Sequence, residues 1–187
     1  VIGLLMLISL FYEIFNNNKS VEKIIKLFKY LIFSGFIFHT IGLAFRWIAS
    51  GHAPWSNGYE SMIYTAWATL LSGIIVSKKS NFTLSATAIV GSLILMFASM
   101  NWMDPTITNL VPVLNSYWLM IHVAIIVASY GFLFLGAILG LMCLWIIVFT
   151  NNENKKKLKS IINSLTNINE RGITVGVFML TIGTFLG

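Results

Sequence analysis

The stretch Ser116-Tyr117-Trp118-Leu119-Met120-Ile121-His122-Val123 opens the longest apolar run in the chain, and how it is read decides the fold. From Tyr117 to Thr150 no residue carries a full charge. A helix rises about 1.5 Å per residue and a hydrocarbon core is roughly 30 Å thick, so about 20 residues cross it. With Phe149 at the inner boundary, the crossing is complete near Tyr130, and His122 stands roughly 10 Å further out. A titratable, metal-binding imidazole is therefore expected at the outer rim of a membrane helix, between Trp118 one turn before it and Ile126 one turn after.

Composition agrees with that reading. Of the 187 residues, 57% are hydrophobic and only 10% charged, and the mean hydropathy is +0.85. A soluble domain carries about 25% charged residues, so composition alone indicates an integral membrane protein. The net charge of +6 is not a nucleic-acid signature. Most of the basic residues lie between Lys19 and Lys29 and between Lys155 and Arg171, beside apolar runs, with Lys78 and Lys79 placed the same way. That distribution carries topology. The single cysteine, Cys143, excludes a disulfide within the chain and reads as a small buried hydrophobe. Val1 to Phe15 lack a basic leader and a small-residue cleavage site, so they do not read as a signal peptide.

Six apolar spans follow in order: roughly 1–15, 30–49, 59–77, 82–100, 117–150 and 172–187. Backbone polar groups in lipid must be satisfied within the segment, so these spans are helices. The expected fold is an all-α polytopic membrane bundle of about six transmembrane spans with short outer loops, residues 1–187 forming one unit. The chain starts without Met and stops inside an apolar run, which is expected of part of a longer polypeptide. Segments 16–29, 78–79 and 151–171 hold eleven of the twelve basic residues, while 50–58 and 101–116 hold no Lys or Arg. The basic segments are thus expected in the cytoplasm and both chain ends outside. Leu158, Ile161, Ile162, Leu165 and Ile168, like Ile24, Ile25 and Phe28, recur at helical spacing among polar residues. Either a basic amphipathic helix on the inner leaflet or a solvated anchor fits that pattern.

Other polar residues stand out against this background. His39 lies near the bilayer midplane, about 14 Å along its helix from Tyr30. It reads either as an internal ligand or proton relay, or as a neutral imidazole bonded to a neighbouring helix. Arg46, the lone basic residue near an outer boundary, suits an anionic carboxylate or haem propionate, or else pairs with Glu60 or snorkels. Asn57 and Glu60 have the spacing of a capping box for the third span. His52 lies outside that helix beside Trp55, at the level of His122. Lys78 to Asn81 reads as a tight inner turn, and Ser85, Ala88, Ser92 and Ser99 as a small-residue packing side of the fourth span. Asp104-Pro105 is a good start for a short helix in an outer lid that also holds Trp102 and Pro112. Gly136 and Gly140 form a close-packing pair, and Ser129 shares the face of His122.

Three histidines with Glu60 and Asp104 show no zinc-ligand spacing, and no nucleophile turn marks a serine hydrolase. Haem asks for less: one axial histidine per face, with apolar and aromatic walls for the macrocycle. Six tryptophans and fourteen phenylalanines supply such walls, although aromatics also anchor helices at membrane interfaces. The rival reading is a membrane transporter or channel with an intramembrane site at His39.

The segment Gly51-His52-Ala53-Pro54-Trp55-Ser56-Asn57-Gly58-Tyr59-Glu60-Ser61 resembles the first outer loop of cytochrome c synthases of the CcsA type, where Gly-His-x-Pro-x-Ser-Asn-x-Tyr-Glu-Ser recurs. Tyr117-Trp118-Leu119-x-Ile121-His122-Val123, with Ser129-Tyr130 beyond, resembles that family's segment carrying the first outer haem-ligating histidine. The family belongs to the haem-handling superfamily named for its tryptophan-rich (WWD) outer domain, and some members are fused to a CcsB partner. The resemblance implies haem b held between two histidines at the outer, periplasmic face of a bacterial inner membrane. It further implies thioether attachment of that haem to the Cys-x-x-Cys-His motif of an apocytochrome c, which makes the full-length protein a haem lyase. Carried onto this chain, His122 is the first axial ligand of the iron, with His52, Arg46, Trp118 and Trp55 as surrounding groups. The tryptophan-rich segment and the second outer histidine would follow Gly187 in the family order, so this chain alone is expected to be incomplete. His39 matches none of the family's internal membrane histidines.

Overall fold

Apolar runs that must satisfy their own backbone polar groups become helices, and the six expected runs do so. The computed structural model describes residues 1–16, 19–76, 80–100, 103–107, 116–148 and 155–187. Its helices are α1 (Ile2–Asn16), α2 (Lys19–Ser50), α3 (Gly58–Val76), α4 (Asn81–Ala98), α5 (Tyr117–Val148) and α6 (Lys155–Leu186). No strand occurs among the described residues. By length and composition, Ser20–Ser50, Asn81–Ala98 and Trp118–Val148 are each able to cross a membrane. α1 is apolar but short, and α6 becomes apolar only from Gly172 onward. The protein is an all-α membrane bundle.

Local chemistry sets several boundaries. Ser80 caps α4, its hydroxyl accepting from the Thr83 N–H at 3.4 Å. The rest of the expected inner turn, Lys78 and Lys79, lies outside the described residues, as do Trp102 and Pro112. Asn57 starts α3, its side-chain oxygen accepting from the Glu60 N–H at 2.8 Å. Ser116 begins α5 through its carbonyl, which accepts from the Met120 N–H at 3.0 Å.

Glycines set how closely the helices approach. α5 and α6 pair antiparallel over most of their length. A methyl group at Gly136 would come within 2.6 Å of Ile173, and Asn169 sits beside both Gly136 and Gly140. The expected close-packing pair therefore receives α6. The reciprocal set escapes the sequence reading: on α6, Gly176 meets Phe132 and Leu133 and Gly183 meets Ile126, and just past it Gly187 meets His122. α3 and α5 run parallel, and Gly131 touches the backbone of Ala68 and Thr69. On α4, Ser85 and Ala88 pack against Gly3 of α1, whereas Ser92 and Ser99 are exposed. That stripe is a packing face over half its length.

The basic segments have two readings, a helix on the inner leaflet or a solvated anchor. Neither segment forms a separate helix on the leaflet; each continues into the span beside it, giving 32-residue helices of about 48 Å. Their apolar positions are consumed inside the bundle. Leu158 and Leu165 are buried with Leu135, Leu139, Met142 and Ile146, with Ile161, Ile162 and Ile168 packed against them. Ile25 and Phe28 pack on Met6 and Leu10 of α1, leaving Ile24 exposed. Packing on a neighbouring helix removes the free apolar face that an interfacial helix would need. α2 is otherwise peripheral, exposing Tyr30, Phe38, Phe45 and Ile48.

Candidate functional site

Residues 51–57 and 103–107 gather at the lysine-free end of the bundle. Glu60, one turn into α3, is almost fully buried at 1% exposure, so every lone pair needs a donor. Its Oε1 accepts from the Arg46 Nε at 2.9 Å. Its Oε2 accepts from the Ser56 backbone N–H at 2.9 Å and the Ser56 hydroxyl at 2.6 Å. The capping box is thus made, with its return bond going to Ser56. Arg46 also donates through Nη1 and Nη2 to the Pro105 carbonyl, both at 3.1 Å, and lies over the Tyr59 ring, 5.0 Å from its centroid. Of its two sequence readings, the ion pair is the one formed.

That guanidinium fastens the second connection onto the first. The expected short helix at Asp104-Pro105 does not form over residues 103–107. Asp104 instead accepts from the Thr106 N–H at 2.9 Å in a local turn, while the Pro105 carbonyl points to Arg46. The Thr106 N–H also holds the Asp104 carboxyl below its ordinary pKa.

His52 is buried at 8% exposure, and its ring turns into its own loop. Nδ1 meets the Ala53 carbonyl at 3.1 Å, a bond that requires the proton on Nδ1, and the His52 carbonyl accepts from Ser50 at 2.8 Å. Gly51 turns the chain there in the left-handed region, at φ 72°. Trp55 is held by rings, with Trp47 5.9 Å away edge-on and Tyr64 at 5.0 Å. The stack continues from Tyr64 to Trp67 at 5.7 Å and on to Phe36 at 5.8 Å. Trp67 donates to Thr40 at 2.9 Å. Tyr64, Trp67 and Phe36 were missed at the sequence level; the i, i+3 spacing of Tyr64 and Trp67 was the available signal.

His122 reaches the same layer by register. Gly131 sits against Thr69, and nine residues before each, in parallel helices, come His122 and Glu60. The imidazole is half-buried between the start of α5 and the end of α6. A methyl at Gly187 would lie 2.8 Å from its Nε2, so this glycine lies against that edge of the ring. Its Nδ1 is shut off from solvent and has no hydrogen-bond partner. Trp118, one turn before, is 57% exposed. Ser129 on the same face is fully buried and donates to the Ile126 carbonyl at 2.6 Å. His39 stands apart from this layer, deeper along α2, with both ring nitrogens buried and unpartnered. Among the described residues, no three His, Cys, Asp or Glu side chains come together as a metal site.

Comparison with known proteins assigns the bundle to a family. The family described as "Cytochrome C assembly protein" matches residues 55–187. Protein NrfI of Wolinella succinogenes is 40% identical over 187 residues, covering 100% of this chain and 21% of that protein. The cytochrome c biogenesis protein CcsA of Prochlorococcus marinus is 30% identical over 217 residues, covering 98% of this chain and 67% of it. CcsA of Chlamydomonas reinhardtii is 36% identical over 155 residues, covering 78% and 43%. The chain therefore spans about a fifth of NrfI and from about two fifths to two thirds of these CcsA proteins. The match over residues 55–187, on a helical membrane bundle, makes this chain a member of the cytochrome c assembly family.

Proposed function

We propose that the chain handles haem b at the outer face of a bacterial inner membrane, with His122 as an axial ligand of the iron. The full-length protein then presents that haem to the Cys-x-x-Cys-His motif of an apocytochrome c. One observation carries the assignment: a half-buried imidazole at the lysine-free end keeps a buried nitrogen with no partner. Polar atoms shut off from water are normally bonded, so an orphan ring nitrogen is explained by a ligand that completes it. Neutral imidazole is also a standard iron donor and is displaced readily by another histidine.

Depth supports the same reading. Trp118 and Trp145 are both exposed on α5, 27 residues and so about 40 Å apart. That is the separation of the two interfacial aromatic belts. Placed by these belts, His122 lies about 6 Å inside the outer one, at the hydrocarbon edge, closer in than the roughly 10 Å outside it expected with Phe149 as the inner boundary. Trp118, one turn before it, offers an exposed aromatic wall. Gly187 lies against the Nε2 edge of the ring, so the unpartnered Nδ1 is the nitrogen assigned to the iron.

The attachment adds each cysteine S–H across a haem vinyl group, sulfur to one carbon and the proton to the other. This chain's residues contribute binding and orientation; the rest of a longer protein, with a CcsB-type partner, supplies the opposite side. Replacing His122 with Ala lowers the haem that copurifies with the full-length protein, and added imidazole restores part of it. Unchanged haem content and unchanged cytochrome maturation in that variant would overturn the ligand role.

A further inference from the structure

A second orphan imidazole stands at a different depth. His39 lies 11 residues before the end of α2, about 16 Å below Ser50 along the helix. Neither ring nitrogen has a hydrogen-bond partner, and both are closed to solvent. The Ile63 carbonyl faces the ring without completing a bond. The imidazole borders a cavity of about 330 Å³ between α1, α2, α3 and α4. Its walls include Gly3, Gly35, Phe36, Leu70, Ala88 and Ser92. Gly3 and Ala88 pack closely on one another in that wall. At Gly35 a Cβ would meet nothing within 4 Å. Ser92 is exposed at the rim, and α2 touches α3 and α4 only lightly, so the cavity opens sideways toward lipid.

We propose that this cavity binds a neutral, membrane-dissolved ring compound carrying carbonyl or hydroxyl oxygen, of the quinone class. The inference is independent of haem at His122. Depth selects the ligand: a charged headgroup is too costly to hold this far into hydrocarbon, whereas an uncharged ring with one or two oxygens dissolves there. Neutral imidazole matches such a ring, with one N–H to donate to a carbonyl and one nitrogen to accept from a hydroxyl. The apolar walls take the rest of the ring, and the Ser92 oxygen, whose proton goes to the Ile89 carbonyl, still accepts at the rim.

The test titrates a decyl-tailed benzoquinone into the intact protein in lipid nanodiscs and follows tryptophan fluorescence. Trp67 reports locally, because it stacks on Phe36 of the cavity wall. Saturable quenching is expected, and Trp67→Phe removes the saturable part. Gly35→Leu fills the cavity without a clash and abolishes binding, while His39→Leu, which keeps bulk and loses the polar contact, weakens it about three- to tenfold. Haem content stays at its original level in Gly35→Leu. Quenching that never saturates, or that is equal in all variants, overturns the proposal. So does a loss of copurified haem in Gly35→Leu without quinone binding in the parent, which would make the macrocycle the occupant.

Discussion

The Arg46–Glu60 pair and the His122 ring share one level of the bundle and follow opposite rules. Around Glu60 every strong acceptor is matched: two bonds from Ser56, one from Arg46, and Arg46 in turn held by Pro105. His122, near the start of α5, keeps a buried nitrogen with nothing to bond. The pair is architecture, since buried charges persist only when fully compensated. The imidazole is a vacancy in the hydrogen-bond inventory, and such vacancies mark places where something else binds. The contrast yields measurements that separate stability from ligand binding.

The largest effect is expected from breaking the saturated side. Glu60→Ala strands the Arg46 guanidinium, whose side chain is only 14% exposed, and costs about 3 kcal/mol. Thermal unfolding in detergent should show it, together with faster proteolysis at residues 103–107 once Pro105 loses its anchor. A melting temperature equal to that of the parent would refute the structural role. His122→Ala should do the reverse, losing haem with little change in melting temperature.

A smaller loss is expected from the contact that sets the register. Gly131→Val places a Cβ 2.6 Å from the Thr69 nitrogen, where backbone cannot yield, so α3 and α5 separate at a cost of about 1–3 kcal/mol. Because that contact levels His122 with Glu60, haem content should fall along with stability. Haem retained at full occupancy would show that the register is unimportant to the site.

The smallest effect sharpens the comparison through pH. The Asp104 carboxyl lies below its ordinary pKa because of the Thr106 N–H, so the turn is stabilised above the unfolded value. That contribution disappears as pH falls through the lower folded value. Amide exchange at Thr106 should quicken across that acid range and hold steady above it. Asp104→Asn, whose side-chain oxygen still accepts but does not titrate, should flatten the profile.

Much of this was legible in the chain. Tyr117 to Thr150 announces a membrane helix because lipid leaves an uncharged apolar run no other structure. Asn57 and Glu60 cap α3 as their spacing says, because a cap is a contact within one turn. Less was legible where contacts are long-range. Leu158, Ile161 and Leu165 look like an interfacial face until α5 is seen to cover them. Asp104-Pro105 looks like a helix start until Arg46, 59 residues earlier, takes the Pro105 carbonyl.

The sequence by itself determined an all-helical membrane protein, the order of its apolar runs and the residue types able to hold iron, because hydropathy and local capping act within a few turns. Only the tertiary structure decided that Arg46 pairs with Glu60, that Gly187 lies against His122, and that His39 borders a cavity. Those outcomes depend on which helices meet and how closely, and a glycine's value there is set by the neighbour it admits.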